Sequence, residues 1–150
     1  MAKKAFQDYY PEQWSHCYGC GRLNQQGHQI KSYWNEEKTE TLATFQPEPY
    51  HTALPGYVYG GLIASLIDCH GTGTAAAAAY QAEGRPMDSE PARRFVTASL
   101  HVDYHKPTPL GPPLHLRGKI TEVKGRKVVV EITLSAEGEV TASGRVVAVQ

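Results

Sequence analysis

Residues 59–82 carry a helical rhythm. Gly61, Ser65, Asp68 and Thr72 are spaced four, three and four apart, so these small or polar positions form one stripe. Leu62, Ile63, Leu66, Ile67 and the alanines at 75–79 cover the remaining circumference. A helix apolar over so much of its surface must be wrapped by other elements. Before it, residues 29–34 and 39–46 read as a strand pair, joined by a polar turn at Asn35-Glu36-Glu37-Lys38. Pro47, Pro49, Pro55 and Gly56 then make a loop, because neither helix nor sheet accepts that density of proline. Gly84 opens a second polar loop running to Arg94, and the rest reads as strands at 95–105, 114–124, 127–136 and 140–149. Val128-Val129-Val130 and Ile132 are the β-branched residues a pleated surface prefers. Two early strands, one buried helix and four later strands predict an α+β fold, an antiparallel sheet curled around a helix. Residues 1–27 are irregular, and the whole of 1–150 reads as one domain.

Composition narrows the functions open to this chain. It has 150 residues, of which 41% are hydrophobic and 20% charged, enough for a core without metal or disulfide staples. Fifteen basic residues balance fifteen acidic ones, so no net field gathers nucleic acid or an anionic membrane. No apolar run approaches a membrane span, and the basic pair Lys3-Lys4 is followed by no apolar stretch of a secretory signal. Three cysteines do not make a secreted disulfide framework, so a cytoplasmic location is expected.

The helix start carries candidate chemistry. Gly60-Gly61 leaves backbone N–H groups uncovered where the helix dipole adds positive charge, an arrangement able to hold a developing oxyanion. Asp68 is the one acidic residue of the helix, with apolar or small neighbours. Such a carboxylate can act as base or nucleophile, or it can simply cap a turn or face solvent. Gly61 and Asp68 stand seven residues apart, roughly 10.5 Å along the axis. A carbonyl oxygen and its attacking water need about 3–3.5 Å. One helix therefore cannot serve both ends of the reaction, but two antiparallel helices across a two-fold axis can, which implies at least a dimer.

Segments along the chain resemble one family. They are Cys17-Tyr18-Gly19-Cys20-Gly21-Arg22-Leu23-Asn24-Gln25-Gln26-Gly27; Pro55-Gly56-Tyr57-Val58-Tyr59-Gly60-Gly61-Leu62-Ile63-Ala64-Ser65-Leu66-Ile67-Asp68; Thr97-Ala98-Ser99-Leu100-His101-Val102-Asp103-Tyr104-His105-Lys106-Pro107-Thr108-Pro109-Leu110; and Gly125-Arg126-Lys127. In order and spacing the chain is similar to the hot-dog-fold acyl-CoA thioesterases of the phenylacetate-pathway and mammalian thioesterase superfamily branch. The resemblance implies a hot-dog fold, a homodimer or dimer of dimers, and hydrolysis of an acyl-CoA thioester to an acid and free CoA. Neither metal nor organic cofactor is implied, CoA being part of the substrate. By the same resemblance Asp68 matches the catalytic acid, and Gly61 with Gly60 the glycines that polarise the carbonyl. Thr97 matches a water-orienting threonine, with Thr72 a second hydroxyl candidate. The family usually has histidine before the two glycines, where this chain has Tyr59. Tyrosine can donate a hydrogen bond but cannot take a proton near neutral pH. His51, in the preceding loop, is a candidate replacement.

Other constellations carry less. Cys17 and Cys20 have the spacing of half a zinc site, with His16 and His28 the nearby ligand candidates, and a plain turn is the expectation. His70 points away from Asp68 on a helix, leaving another subunit as its contact. His101, Asp103 and His105 alternate on one strand and are expected to be an exposed polar face. Ser65 lacks a base at useful spacing, so it is at most a lining residue. Lys106, Arg126 and Lys127 are candidate contacts for CoA phosphates. Two rival functions remain on the same fold: an acyl-thioester dehydratase or hydratase, which would need a histidine in the stripe, and a non-catalytic acyl-CoA binder.

Overall fold

The computed structural model describes residues 3–150. Strands β1 (Ser32–Trp34) and β2 (Thr41–Phe45) precede the helix α1 (Gly60–Ala82). After it come β3 (Val96–Tyr104), β4 (Leu114–Lys124), β5 (Lys127–Ala136) and β6 (Glu139–Val149). The strands form one antiparallel sheet in the order β1-β2-β4-β5-β6-β3, curved around α1 in the hot-dog arrangement. The expected β4 and β5 agree with the observed ones in both bounds. The first strand starts three residues later than expected, because Gln29 takes a left-handed φ of 54° and breaks the extended run. The turn after β1 closes as its residues suggest: the Asn35 side chain accepts from the Thr39 and Glu40 amides, and Lys38 turns through a φ of 57°. The irregular N-terminal segment contains two short 3-10 turns, Phe6–Tyr9 and Glu12–Trp14.

Burial explains the wrapping. Leu62, Ile63, Leu66 and Ile67 of α1 pack against Leu116, Val130, Ile132 and Leu134 in one apolar cluster. Leu66 and Ile67 are fully covered, which contributes about 1.5–3 kcal/mol each relative to exposure. Helix and sheet approach so closely that side chains are excluded on both surfaces. A Cβ at Gly71 would lie 2.5 Å from Val146, and one at Gly144 would lie 2.6 Å from Ile67. The face of α1 left partly open is the predicted stripe, where Gly61 is exposed and Ser65, Asp68 and Thr72 are half-buried.

β3 ends the sheet and pairs only with β6. Along it Val96, Leu100 and Tyr104 are 51%, 40% and 53% exposed, an apolar load that a free sheet edge ordinarily avoids. No described helix is long and apolar enough to cross a membrane.

His70 corrects one expectation. It is completely buried within its own chain and has no surface to offer another subunit. Its Nδ1 pairs with Ser32 Oγ at 2.8 Å and its Nε2 with Thr41 Oγ1 at 3.1 Å. Gln7 donates to Ser32 Oγ and accepts from the Ser32 amide, while Thr41 Oγ1 meets Thr74 Oγ1 at 2.7 Å. Every polar atom of the ring is thus satisfied, as burial demands.

Burial pushes the His70 imidazole down to about 4 from 6.5. Between those values the unfolded chain binds a proton that the folded chain refuses, so stability is whole above about pH 6.5 and falls as pH drops towards 4. His28 and His51 are shifted in the same direction by desolvation. The His70 share is isolated by comparison with His70→Asn. Wild type is expected to lose more stability than this variant between pH 7 and pH 5 in urea titrations, and equal losses would contradict the assignment.

Candidate active site

Asp68 lies halfway along the open stripe and lines a cavity of about 240 Å³ with Thr72, Thr97 and the three cysteines. Its Oδ1 accepts a hydrogen bond from Thr97 Oγ1 at 2.5 Å. Thr97 can reach it because the pairing of β3 with β6 slips by one residue between Thr97 and Ser99. A bulge of this kind re-aims a side chain that regular alternation would send elsewhere. The Thr72 hydroxyl donates back to the carbonyls of Asp68 and Cys69, at 3.4 and 3.2 Å, so only its lone pairs face the cavity. Asp68, Thr97 and Thr72, three of the residues singled out in the sequence, therefore share one wall.

The helix start lies at a second cavity, of about 480 Å³, lined by Gly60, Ile63, Tyr57, Tyr104 and Lys106. Tyr104 donates from its hydroxyl to the Gly60 carbonyl at 2.7 Å. Burial, then Tyr59, pushes the Tyr104 phenol up, so it remains a donor at ordinary pH. Tyr59 is the N-cap residue of α1, and its side chain makes no capping bond. Its ring instead lies over Gly61, where a Cβ would sit 2.4 Å from a ring carbon. The structure thus keeps Gly60 and Asp68 in separate cavities of one chain, as the spacing along the helix requires.

The other sequence candidates are committed locally. The His51 carbonyl accepts from the Tyr59 amide, which brings this loop back to the helix start. Its imidazole, however, accepts the Glu48 amide on Nδ1 and packs among His28, Phe45 and Tyr50. The Ser65 hydroxyl donates to the Leu62 carbonyl at 2.9 Å. Lys106 pairs with Glu139, Lys127 with Glu122, and Arg126 with the Gln150 carbonyl. His101 and Asp103 form an exposed pair, and His105 bonds Ser143 across to β6. Sequence spacing did not reveal Cys69. Its thiol meets Cys17 Sγ at 3.8 Å, across 52 residues, and neither His16 nor His28 joins the group. No local periodicity could have found it.

Comparison with known proteins assigns the lineage. The sequence pattern of the thioesterase superfamily matches residues 55–143, which run from the loop before α1 into β6. The chain belongs to the thioesterase superfamily. A thioesterase superfamily protein of Shewanella loihica is 51% identical, superposes with a TM-score of 0.69, and is matched over 94% of this chain and 98% of that one. Acyl-coenzyme A thioesterase THEM4 of Xenopus laevis is 34% identical over 68% of this chain and 40% of its own length. This superfamily member thus spans about two fifths of the curated relatives it matches first. The PaaI protein of E. coli, from the phenylacetic acid degradation operon, has 13% identity and a TM-score of 0.61, a likeness of fold alone.

The Tyr59–Gly61 contact has a testable consequence. Gly61→Ala forces the ring aside, but the ring is 58% exposed and can swing outward at little cost. The variant should therefore change stability by no more than about 0.5 kcal/mol in urea unfolding. A loss of several times that amount would mean the ring is held in place.

Proposed function

We propose that the chain is an acyl-CoA thioesterase working as a homodimer, with Asp68 of one subunit facing the Gly60-Gly61 helix start of the other. The observation that carries this reading is the Asp68–Thr97 hydrogen bond inside a cavity that the helix start of the same chain does not reach. Thr97 spends its proton on one carboxylate oxygen and leaves the other free to take a proton from water or to attack carbon. The helix-start amides would receive the negative charge that develops on the thioester oxygen. Collapse of the tetrahedral intermediate expels the CoA thiolate, which leaves as the thiol after protonation. Attack by water gives the acid at once, whereas attack by Asp68 gives a mixed anhydride that a water must then hydrolyse to the acid and the free carboxylate.

The exposed edge of β3 supports the assembly. Thr97 at one end of β3 holds Asp68, and Tyr104 at the other holds Gly60. Antiparallel pairing of two β3 strands about a two-fold axis would set the Thr97 end of each against the Tyr104 end of its mate. It would also cover Val96 and Leu100. Two such dimers could pair further into a dimer of dimers. Lys106 and Arg126, exposed, and Lys127, half-buried, are cations suited to the CoA phosphates once a ligand displaces their present partners. Three free cysteines fit the reducing cytoplasm, where no disulfide would be expected.

Two variants test the roles. Asp68→Asn should lower hydrolysis of acyl-CoA substrates by about 10²–10⁴-fold while acyl-CoA binding persists, read as thiol release and by calorimetry. Retained hydrolysis would remove Asp68 from the reaction. Thr97→Val should cost about tenfold in kcat through a less well-oriented carboxylate, with Thr97→Ser recovering most of it. If Val and Ser behave alike, the hydroxyl has no part.

A further inference from the structure

The three cysteines of the chain converge, although nothing in the spacing ties Cys69 to Cys17 and Cys20. Cys17 and Cys20 belong to the irregular N-terminal segment and Cys69 to the middle of α1, yet their sulphur atoms all lie within 4.8 Å of one another. The 3.8 Å between Cys17 Sγ and Cys69 Sγ is far beyond a disulfide bond of about 2.05 Å. Two thiolates on a tetrahedral ion, each about 2.3 Å from it, stand about 3.8 Å apart.

The backbone is shaped around this cluster. A Cβ at Gly19 would lie 2.3 Å from Cys69 Sγ, so glycine is what lets the loop reach the helix thiol. Gly21 is pressed against the backbone of Ser15 and Cys17, and its amide donates to the Cys17 carbonyl at 2.7 Å, which closes the turn. Cys20 and Cys69 are buried and Cys17 is open to the surface, so three sulphur donors converge with one side accessible to an incoming ion. Sulphur donors of this kind select soft or borderline ions.

We propose that Cys17, Cys20 and Cys69 form a three-thiolate site for a thiophilic divalent cation, zinc being the fitting ion, that clips the N-terminal segment to α1 beside Asp68. Binding would release the thiol protons of the three cysteines to solvent and leave three sulphur ligands on the ion. The fourth position opens on the cavity that these cysteines line together with Asp68, where water can complete the tetrahedron. The ion's part is to fix one wall of that cavity. The hydrolytic reading does not depend on it, nor does the metal site depend on hydrolysis.

The untagged chain of residues 1–150, kept reduced with a phosphine, would be incubated with equimolar zinc chloride, desalted and assayed for metal. About one zinc per chain is expected, together with a higher unfolding midpoint in its presence. Cobalt(II) added to metal-stripped wild type should give an intense near-ultraviolet thiolate band and tetrahedral d–d bands. Cys17→Ser and Cys69→Ser should each lower zinc retention by more than about tenfold. Should a variant fail to fold, the cobalt spectrum of wild type still decides. Zinc below about a tenth of an equivalent in wild type, no cobalt–thiolate band, or a mass lower by two hydrogens (a disulfide instead) would each overturn the site.

Discussion

Everything in this molecule follows from the need to bury α1. Its apolar residues run nearly all the way round, so no flat layer could cover them, and the sheet must curl until β4, β5 and β6 enclose the helix. The close approach at Gly71 and Gly144 is the local form of the same constraint: a side chain at either position would hold helix and sheet apart. Once the helix is enclosed, only a narrow strip of it can remain uncovered. That strip carries Gly61, Ser65, Asp68 and Thr72, so the chemistry and the burial share one origin.

A carboxylate on such a strip is held by what the neighbouring strand can supply. β3 supplies a threonine at one end and a tyrosine at the other, both donating to α1. The irregularity beside Thr97 therefore shapes the candidate site, since regular alternation would not have aimed that hydroxyl at Asp68. The same strand has a free edge and exposed apolar side chains. Such an edge suits the strand pairing of the proposed dimer, and so does the separation of Gly60 and Asp68 along α1.

The order and type of the elements were legible because each has a clean period: strand alternation at 114–124 and 127–136, and the helical stripe at 59–82. Proline and glycine marked the loops. Asp68, Thr97 and Thr72 were found through the resemblance together with helical spacing, and the fold does bring them to one cavity. Features built from distant parts of the chain were not legible. Cys69 joins Cys17 and Cys20 only through the tertiary fold, and the late start of β1 depends on a left-handed residue with no glycine to announce it. His70 was misread for the same reason. Its partners Ser32 and Thr41 lie 38 and 29 residues away, and a helical wheel shows direction without showing what waits there.

The His70 cluster carries one more meaning. A cylinder that is oily on nearly every side can turn inside an oily sleeve without losing burial, so hydrophobicity alone leaves its rotational setting poorly defined. Hydrogen bonds are directional and tolerate no such slippage. Ser32 and Thr41 engage the imidazole in one orientation only, held in turn by Gln7 and Thr74 respectively, and so act as a key in a keyway. Because His70 is two residues from Asp68 and lies on the far side of the helix, indexing the one aims the other. A buried, chemically silent histidine thereby sets the bearing of the carboxylate at the open strip.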